Sequence, residues 1–311
     1  MRIIHLSDVH VWRFAFNPFH LLNKRAIGML GLVARRAKKF RLERLHEVVA
    51  RARSLEPDHI VISGDLTTTA LPAEFQAARA ELAELLVDSE RVTVIPGNHD
   101  RYTSGSVRRR QFEKWFGEFS PVGPYPWLRR LDDETSILGL DATRSHLSAS
   151  GLLPTAQLVA AQALLADPSR RPRRLIVACH YPLAAPPSYE HDLYPKRMKN
   201  AAEVAAWLAT LGPHLFLCGH VHAAWAFAPS TIPHQLCLNA GAPLLRDPTD
   251  LRPPGFLEIT LHDRAVSVVH HAWLGDEWEA RPLYQDPTFF APSLTLAEGP
   301  AFPAPDRTGG A

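Results

Sequence analysis

Val92-Thr93-Val94-Ile95-Pro96-Gly97-Asn98-His99-Asp100 is a short apolar run stopped by Pro-Gly and followed at once by an amide, an imidazole and a carboxylate. Val92, Val94 and Ile95 predict a buried strand that Pro96 ends. The polar residues then fall in the loop at its carboxyl end, where α/β folds keep their chemistry. Four other stretches share this texture: Leu6-Ser7-Asp8-Val9-His10, Ser63-Gly64-Asp65, Ala178-Cys179-His180 and Cys218-Gly219-His220-Val221-His222. A lone Asp8 would read as a turn or helix-cap carboxylate. Five donor-bearing strand ends in one chain reverse that preference and predict a site for two metal ions.

Outward from this stretch the pattern alternates. Ile3, Ile4 and Leu6 predict a first strand, residues 41–55 a helix ending before Pro57, and His59-Ile60-Val61-Ile62 a second strand. Helices are predicted over 72–88, 154–166 and 200–211, with strands at 137–140, 175–178 and 215–217. Residues 101–134 predict a short helix and then a Pro-rich loop through Pro121, Pro124 and Pro126. Beyond residue 222 only β-like runs remain, at 224–228, 234–239, 255–261 and 265–271, as in an antiparallel continuation. The whole predicts an α/β core with a mixed sheet covered on both faces. One domain is expected over residues 1–281, and a Pro/Gly-rich, poorly packed tail over 282–311.

Residues 11–40 do not resemble a core connection. Phe14, Phe16, Phe19, Leu21 and Leu22 precede a second apolar run, with Lys24, Arg25, Arg35, Arg36, Lys38, Lys39, Arg41 and Arg44 at the flanks. Such a basic amphipathic insert suits a membrane surface or an anionic ligand, or else a structural cap with solvated charges. Net charge over 311 residues is only +2, which argues against nucleic acid as a partner. Three cysteines without a C-x-x-C pair fit a reducing cytoplasm. The N-terminus enters a strand with no secretory pattern, and no apolar run reaches the roughly 18 residues of a spanning helix. The expectation is a cytoplasmic protein, with residues 13–40 open between a peripheral membrane contact, a lid and a structural cap.

Asp8, His10, Asp65, Asn98, His180, His220 and His222 are oxygen or imidazole donors, a set that suits Mn, Fe or Zn. Two divalent ions a few ångströms apart need a bridging carboxylate, for which Asp65 is the natural candidate. His99, beside a ligand, is placed to protonate a leaving oxygen, with Asp100 expected to fix its tautomer. His5, His20, His46, His59, His146, His214, His234, His262, His270 and His271 read as surface or satisfied core histidines.

Asp8-x-His10, Gly64-Asp65, Gly97-Asn98-His99-Asp100, His180 and Gly219-His220-x-His222 together resemble the calcineurin-like metallophosphoesterase superfamily. The motifs span residues 8–222 in the expected order. The resemblance implies a four-layered α/β/β/α sandwich with mixed β-sheets. It assigns Asp8, His10, Asp65 and His222 to one metal, Asp65, Asn98, His180 and His220 to the other, and His99 as proton donor. It implies hydrolysis of a phosphodiester, phosphomonoester or pyrophosphate by attack of a metal-bridging hydroxide. A small phosphate ester or a lipid phosphate is the expected substrate, with cyclic-nucleotide phosphodiesterase and UDP-diacylglucosamine-type pyrophosphatase as the specific alternatives. A scaffold subunit with this fold is set aside because every ligand position is filled.

Overall fold

The computed structural model describes residues 1–13, 40–146, 148–167, 171–247 and 251–291. Its frame is a pair of six-stranded mixed sheets. In the first, β1 (Arg2–Leu6) lies parallel to β2 (His59–Ile62), and β2 is parallel to β3 (Val92–Val94). On the other side of β1 run β10 (Gly255–His262), β11 (Ala265–Trp273) and β12 (Trp278–Asp286), all antiparallel to their neighbours.

The second sheet has the order β4 (Trp127–Arg130), β5 (Thr135–Gly139), β6 (Arg174–Ala178), β7 (His214–Cys218), β9 (Gln235–Ala240), β8 (Ala224–Phe227). Strands β5, β6, β7 and β9 are parallel.

Side-chain alternation sets the layers. In β1, Ile3 points to a core shared by both sheets, where it meets Ile137, Ile176, Leu215, Leu236 and Leu257. Its neighbour Ile4 points the other way, into a core with α1 (Leu45–Ser54), α2 (Pro72–Glu81) and α3 (Gln111–Phe116). In β6 the same switch puts Ile176 inward and Leu175 and Val177 outward, against α4 (Thr155–Leu164) and α5 (Ala201–Leu208). Period two in the strands therefore yields helix, sheet, sheet, helix. Each fully buried Ile, Leu or Phe in these cores contributes roughly 1.5–3 kcal/mol.

This is the four-layered sandwich that the motif resemblance implies. The pattern-based expectation of one mixed sheet is corrected to two, each with one face on its partner and one on helices. A strand buried on both sides reads as a continuous apolar run whichever layer covers it, so sequence texture could not separate the two cases.

Two strands fall where none was expected. β4 occupies the end of the supposed Pro-rich loop, because Arg129 turns inward and donates from Nη1 to the carbonyls of Val92 (2.6 Å) and Phe119 (3.0 Å). The tail boundary at residue 282 falls inside β12, which pairs with β11 as far as Asp286. As an edge strand it is half-exposed and polar, which hid it. Residues 292–311 of the expected tail lie outside the described residues, as do residues 14–39 of the insert. The described ends of that insert are tied down: Val11 bridges Thr67, and Phe40 bridges Leu245. Among the described residues no helix is long and apolar enough to cross a membrane.

Candidate metal centre

The carboxyl ends of β1, β2 and β3 in one sheet, and of β6 and β7 in the other, open toward one another. Backbone bonds lock these loops together: Asp8 N donates to Gly64 O (3.0 Å), His10 N to Asp65 O (2.9 Å), and Gly219 N to His180 O (3.0 Å). Asp8, His10, Asp65, His220 and His222 all have positive φ, between 51° and 72°. Non-glycine residues hold that region at a cost, typically where the surrounding structure fixes a functional side chain.

Two glycines make the loops' approach possible. A Cβ on Gly64, whose φ is +98°, would lie 2.4 Å from Gly97 N, and a Cβ on Gly97 would lie 2.1 Å from Asp65 Oδ1. Gly97 thus serves by leaving room for the carboxylate rather than by adopting a special turn conformation.

The seven ligand candidates converge. Asp65 Oδ2 lies 3.3 Å from His180 Nε2 and 3.7 Å from His10 Nε2. Asp8 Oδ1 is 3.1 Å from His222 Nε2 and 3.6 Å from His10 Nε2. Asn98 Oδ1 is 3.2 Å from His180 Nε2, and the Nε2 atoms of His10 and His222 are 3.1 Å apart. Two groupings result, Asp8 with His10 and His222, and Asp65 with His180 and His220; His99 joins His10 and Asp65 in a third.

Outer partners fix which ring nitrogen faces inward. His180 Nδ1 donates to Ser63 O (2.8 Å), leaving the Nε2 lone pair toward Asp65 and Asn98. His220 Nε2 donates to Lys196 O (3.1 Å), which leaves Nδ1 for the site. Lys196 was invisible to sequence reasoning, since it sits in a Pro-rich loop with no motif of its own. Its Nζ also donates to His220 O (3.0 Å). Asn239 was missed likewise; its amide holds Gly219 O at 2.5 Å.

The residues fit divalent cations. Burial alone would raise the Asp8 carboxyl, but the imidazoles of His222 and His10 hold it well below the usual range. Asp65 is also fully buried and is held low, chiefly by His180 and His99. His180, despite burial, is pushed up to about 9 by Asp65. Two buried carboxylates thus stay anionic and attract positive charge, which protons supply in the absence of metal. Asp8 Oδ1 is buried and faces the Nε2 atoms of His222 and His10. A buried anionic oxygen of this kind is costly unless a cation meets it.

Asp100 does not hold His99, and that expectation is corrected. Its carboxylate accepts from Gly97 N (2.9 Å), Thr67 N (2.9 Å) and Thr67 Oγ1 (3.0 Å), tying two ligand loops together. Burial and the nearby Asp65 charge push Asp100 up to about 6. The His99 ring is set by Thr68, whose carbonyl accepts from Nδ1 at 2.6 Å. The His99 backbone N–H donates to Asp65 Oδ1 at 2.7 Å.

The histidines expected to be structural include several with clear partners. His5 bonds Ser63 Oγ (2.9 Å), His59 bonds Thr93 Oγ1 (2.8 Å), and His271 meets Glu258 (2.8 Å).

Paired mixed sheets with a dense carboxylate and imidazole cluster at one joint edge define a metallophosphoesterase. Residues 1–224 match the model of the calcineurin-like phosphoesterase family, and the chain belongs to that family. It is therefore a metal-dependent phosphoester hydrolase of a dinuclear-metal family.

The chain is 26% identical over 297 residues, 89% of each protein, to the glycerophosphodiester phosphodiesterase GpdQ of Enterobacter lignolyticus (strain SCF1). Among solved structures it resembles a dimetal phosphatase from Danio rerio, LOC 393393, with a TM-score of 0.59 and 15% identity, covering 91% of this chain and 99% of that one. It also resembles the purple acid phosphatase PPD1 from yellow lupin (Lupinus luteus) seeds, with a TM-score of 0.56 and 12% identity, covering 90% and 52%. These two structural likenesses concern the fold.

Proposed function

We propose that this protein hydrolyses small phosphodiesters at a two-metal centre. Asp8, His10, Asp65 and His222 would hold one ion, and Asp65, Asn98, His180 and His220 the other. The observation that carries this reading is the place of Asp65, whose carboxylate lies between imidazoles of both groupings. The donor set favours Mn, Fe or Zn. When bound, such ions acidify water to a nucleophile at neutral pH and neutralise phosphoryl oxygens. The preference for diesters is supported by the relative named a glycerophosphodiester phosphodiesterase, matched over most of both chains.

His99 supplies the proton. With Nδ1–H committed to Thr68 O, the protonated ring carries its mobile proton on Nε2. That proton passes to the leaving alkoxide as the P–O bond breaks, and the ring returns to the neutral tautomer that Thr68 already selects. Asp65 Oδ1 accepts from the His99 backbone, so the carboxylate that divides the two groupings also fixes the acid's position. Asp100 acts at one remove, by pinning the loops of Thr67 and Gly97.

The test is a metal-reconstituted assay with bis-p-nitrophenyl phosphate, glycerophosphodiesters and p-nitrophenyl phosphate. Faster turnover of diesters than of the monoester, lost on chelation, supports the reading. No diester turnover with any of Mn, Fe or Zn overturns it.

A further inference from the structure

Beside the metal centre lies a separate open cavity of about 560 Å³, lined by Arg41, Arg44, Arg246, Arg252 and Arg281 among other residues. Two of these arginines are matched by carboxylates: Arg252 by Asp192, and Arg281 by Glu279 at 2.6 Å. One acidic side chain, Asp247, lines the cavity itself. Arg44 has Glu47 at 3.6 Å. The lining still carries positive charge in excess, in a protein whose overall net charge is only +2.

Arg44 is the most telling member. Its side chain is 12% exposed, and its guanidinium stacks on Trp273 with 4.5 Å to the ring centroid. Its Nε faces Glu47, so ring and carboxylate together hold the guanidinium at the cavity wall. A guanidinium fixed in this way gives the cavity wall a positive charge of set position, which favours an oxyanion.

The cavity adjoins the metal site through three short links. Phe40, next to Arg41, packs its ring 4.8 Å from His10 and 5.8 Å from His222. Arg41 N donates to Leu244 O (2.9 Å), beside the lining residue Leu245. Arg252 Nη1 reaches the carbonyl of Val221 at 3.4 Å, between the candidate ligands His220 and His222.

We infer that this arginine-lined cavity binds a second phosphate of the substrate while the scissile phosphate lies at the metal centre. The inference rests on the phosphodiesterase reading above and narrows its substrate class to phosphoesters bearing a further phosphate on one of the joined alcohols. Phe40, buried between them, is the apolar wall that separates the two anion sites.

The test pairs kinetics with equilibrium binding, in the metal-loaded enzyme. The two substrates are the p-nitrophenyl ester of thymidine monophosphate, with and without a phosphate on the sugar's other hydroxyl. Wild type should prefer the doubly phosphorylated ester. In Arg246→Gln and Arg44→Gln the ratio of kcat/KM between the two should fall about tenfold, through KM. Arg246 is exposed, so its replacement leaves the fold intact even if the Arg44 variant is unstable. Calorimetric titration should show thymidine bisphosphate binding more tightly than thymidine monophosphate, and Arg246→Gln should cut that ratio about tenfold.

An equal fall on both substrates, or an unchanged ratio of bisphosphate to monophosphate affinity, overturns the inference. Failure of the phosphodiesterase reading would appear separately, as no turnover of either ester by wild type, while the titration still reports on the cavity.

Discussion

Asp65 Oδ2 lies 3.3 Å from His180 Nε2, so a carboxylate carried by one sheet meets an imidazole carried by the other. Neither sheet holds the site alone. Substituting Asp65→Asn removes the charge that divides the two ligand groupings. Activity on bis-p-nitrophenyl phosphate should fall by about 10³-fold or more, and bound metal should drop below that of wild type in elemental analysis. Wild-type turnover by this variant would sink the two-metal mechanism.

His99 is assigned a proton rather than a metal. His99→Ala should therefore keep its metal content but lose about 10²–10⁴-fold in kcat, the usual contribution of a general acid. The loss should be smaller for p-nitrophenyl leaving groups, which need little protonation, than for alkyl alcohols. Equal losses on both would argue against the role.

Gly97→Ala tests the space around the centre. The new Cβ would stand 2.1 Å from Asp65 Oδ1, so the carboxylate must move. We expect kcat/KM to fall about a hundredfold, as for other ångström-scale misplacements of a reacting group. Elemental analysis should show weaker metal retention alongside it.

Stability should decline in acid through histidines remote from the centre. Burial depresses His59 to about 3, and His214 and His270 to about 4, so all three are neutral in the folded protein. The unfolded chain takes up their protons below roughly pH 6.5. The unfolded state thus binds more protons, and stability is full above that pH and is lost as pH falls toward the folded values. Each contributes a slope of about 1.4 kcal/mol per pH unit in that window. In chelator-treated protein, urea unfolding of His59→Gln should show a slope shallower by about that amount between roughly pH 6 and 4.5. An unchanged slope would mean that His59 is already protonated in the fold.

Chelation should lower the unfolding temperature as well as abolish turnover. A ligand present at 100 times its Kd adds about 2.7 kcal/mol to folded-state stability. Re-addition of Mn, Fe or Zn, followed by differential scanning calorimetry, would rank the metals independently of activity.

The five ligand stretches were legible because each couples a local strand signal to a donor at the strand's end, and both signals reside in a few consecutive residues. Asp8, His10, Asp65, Asn98, His180, His220 and His222 could be named on that basis. Asp100 was named too, yet its task was misjudged. Which atom a carboxylate meets depends on how the loop of Thr67 folds over it, and nothing adjacent to Asp100 records that. Lys196 and Asn239 were missed for the same reason, since each acts on a residue about twenty positions away.

By itself the sequence determined the strand and helix alternation and the donor chemistry, because periodicity and residue type are local properties. Only the tertiary structure decided that the strands form two sheets, that β12 completes one of them, and that five arginines share a cavity beside His10 and His222. Those arginines lie between residues 41 and 281, and contacts distant in sequence, such as the bridge of Phe40 to Leu245 and the pairing of β12 with β11, bring them together. Long-range pairing of that kind is set by which faces bury one another, a global balance of packing that no short stretch of chain encodes.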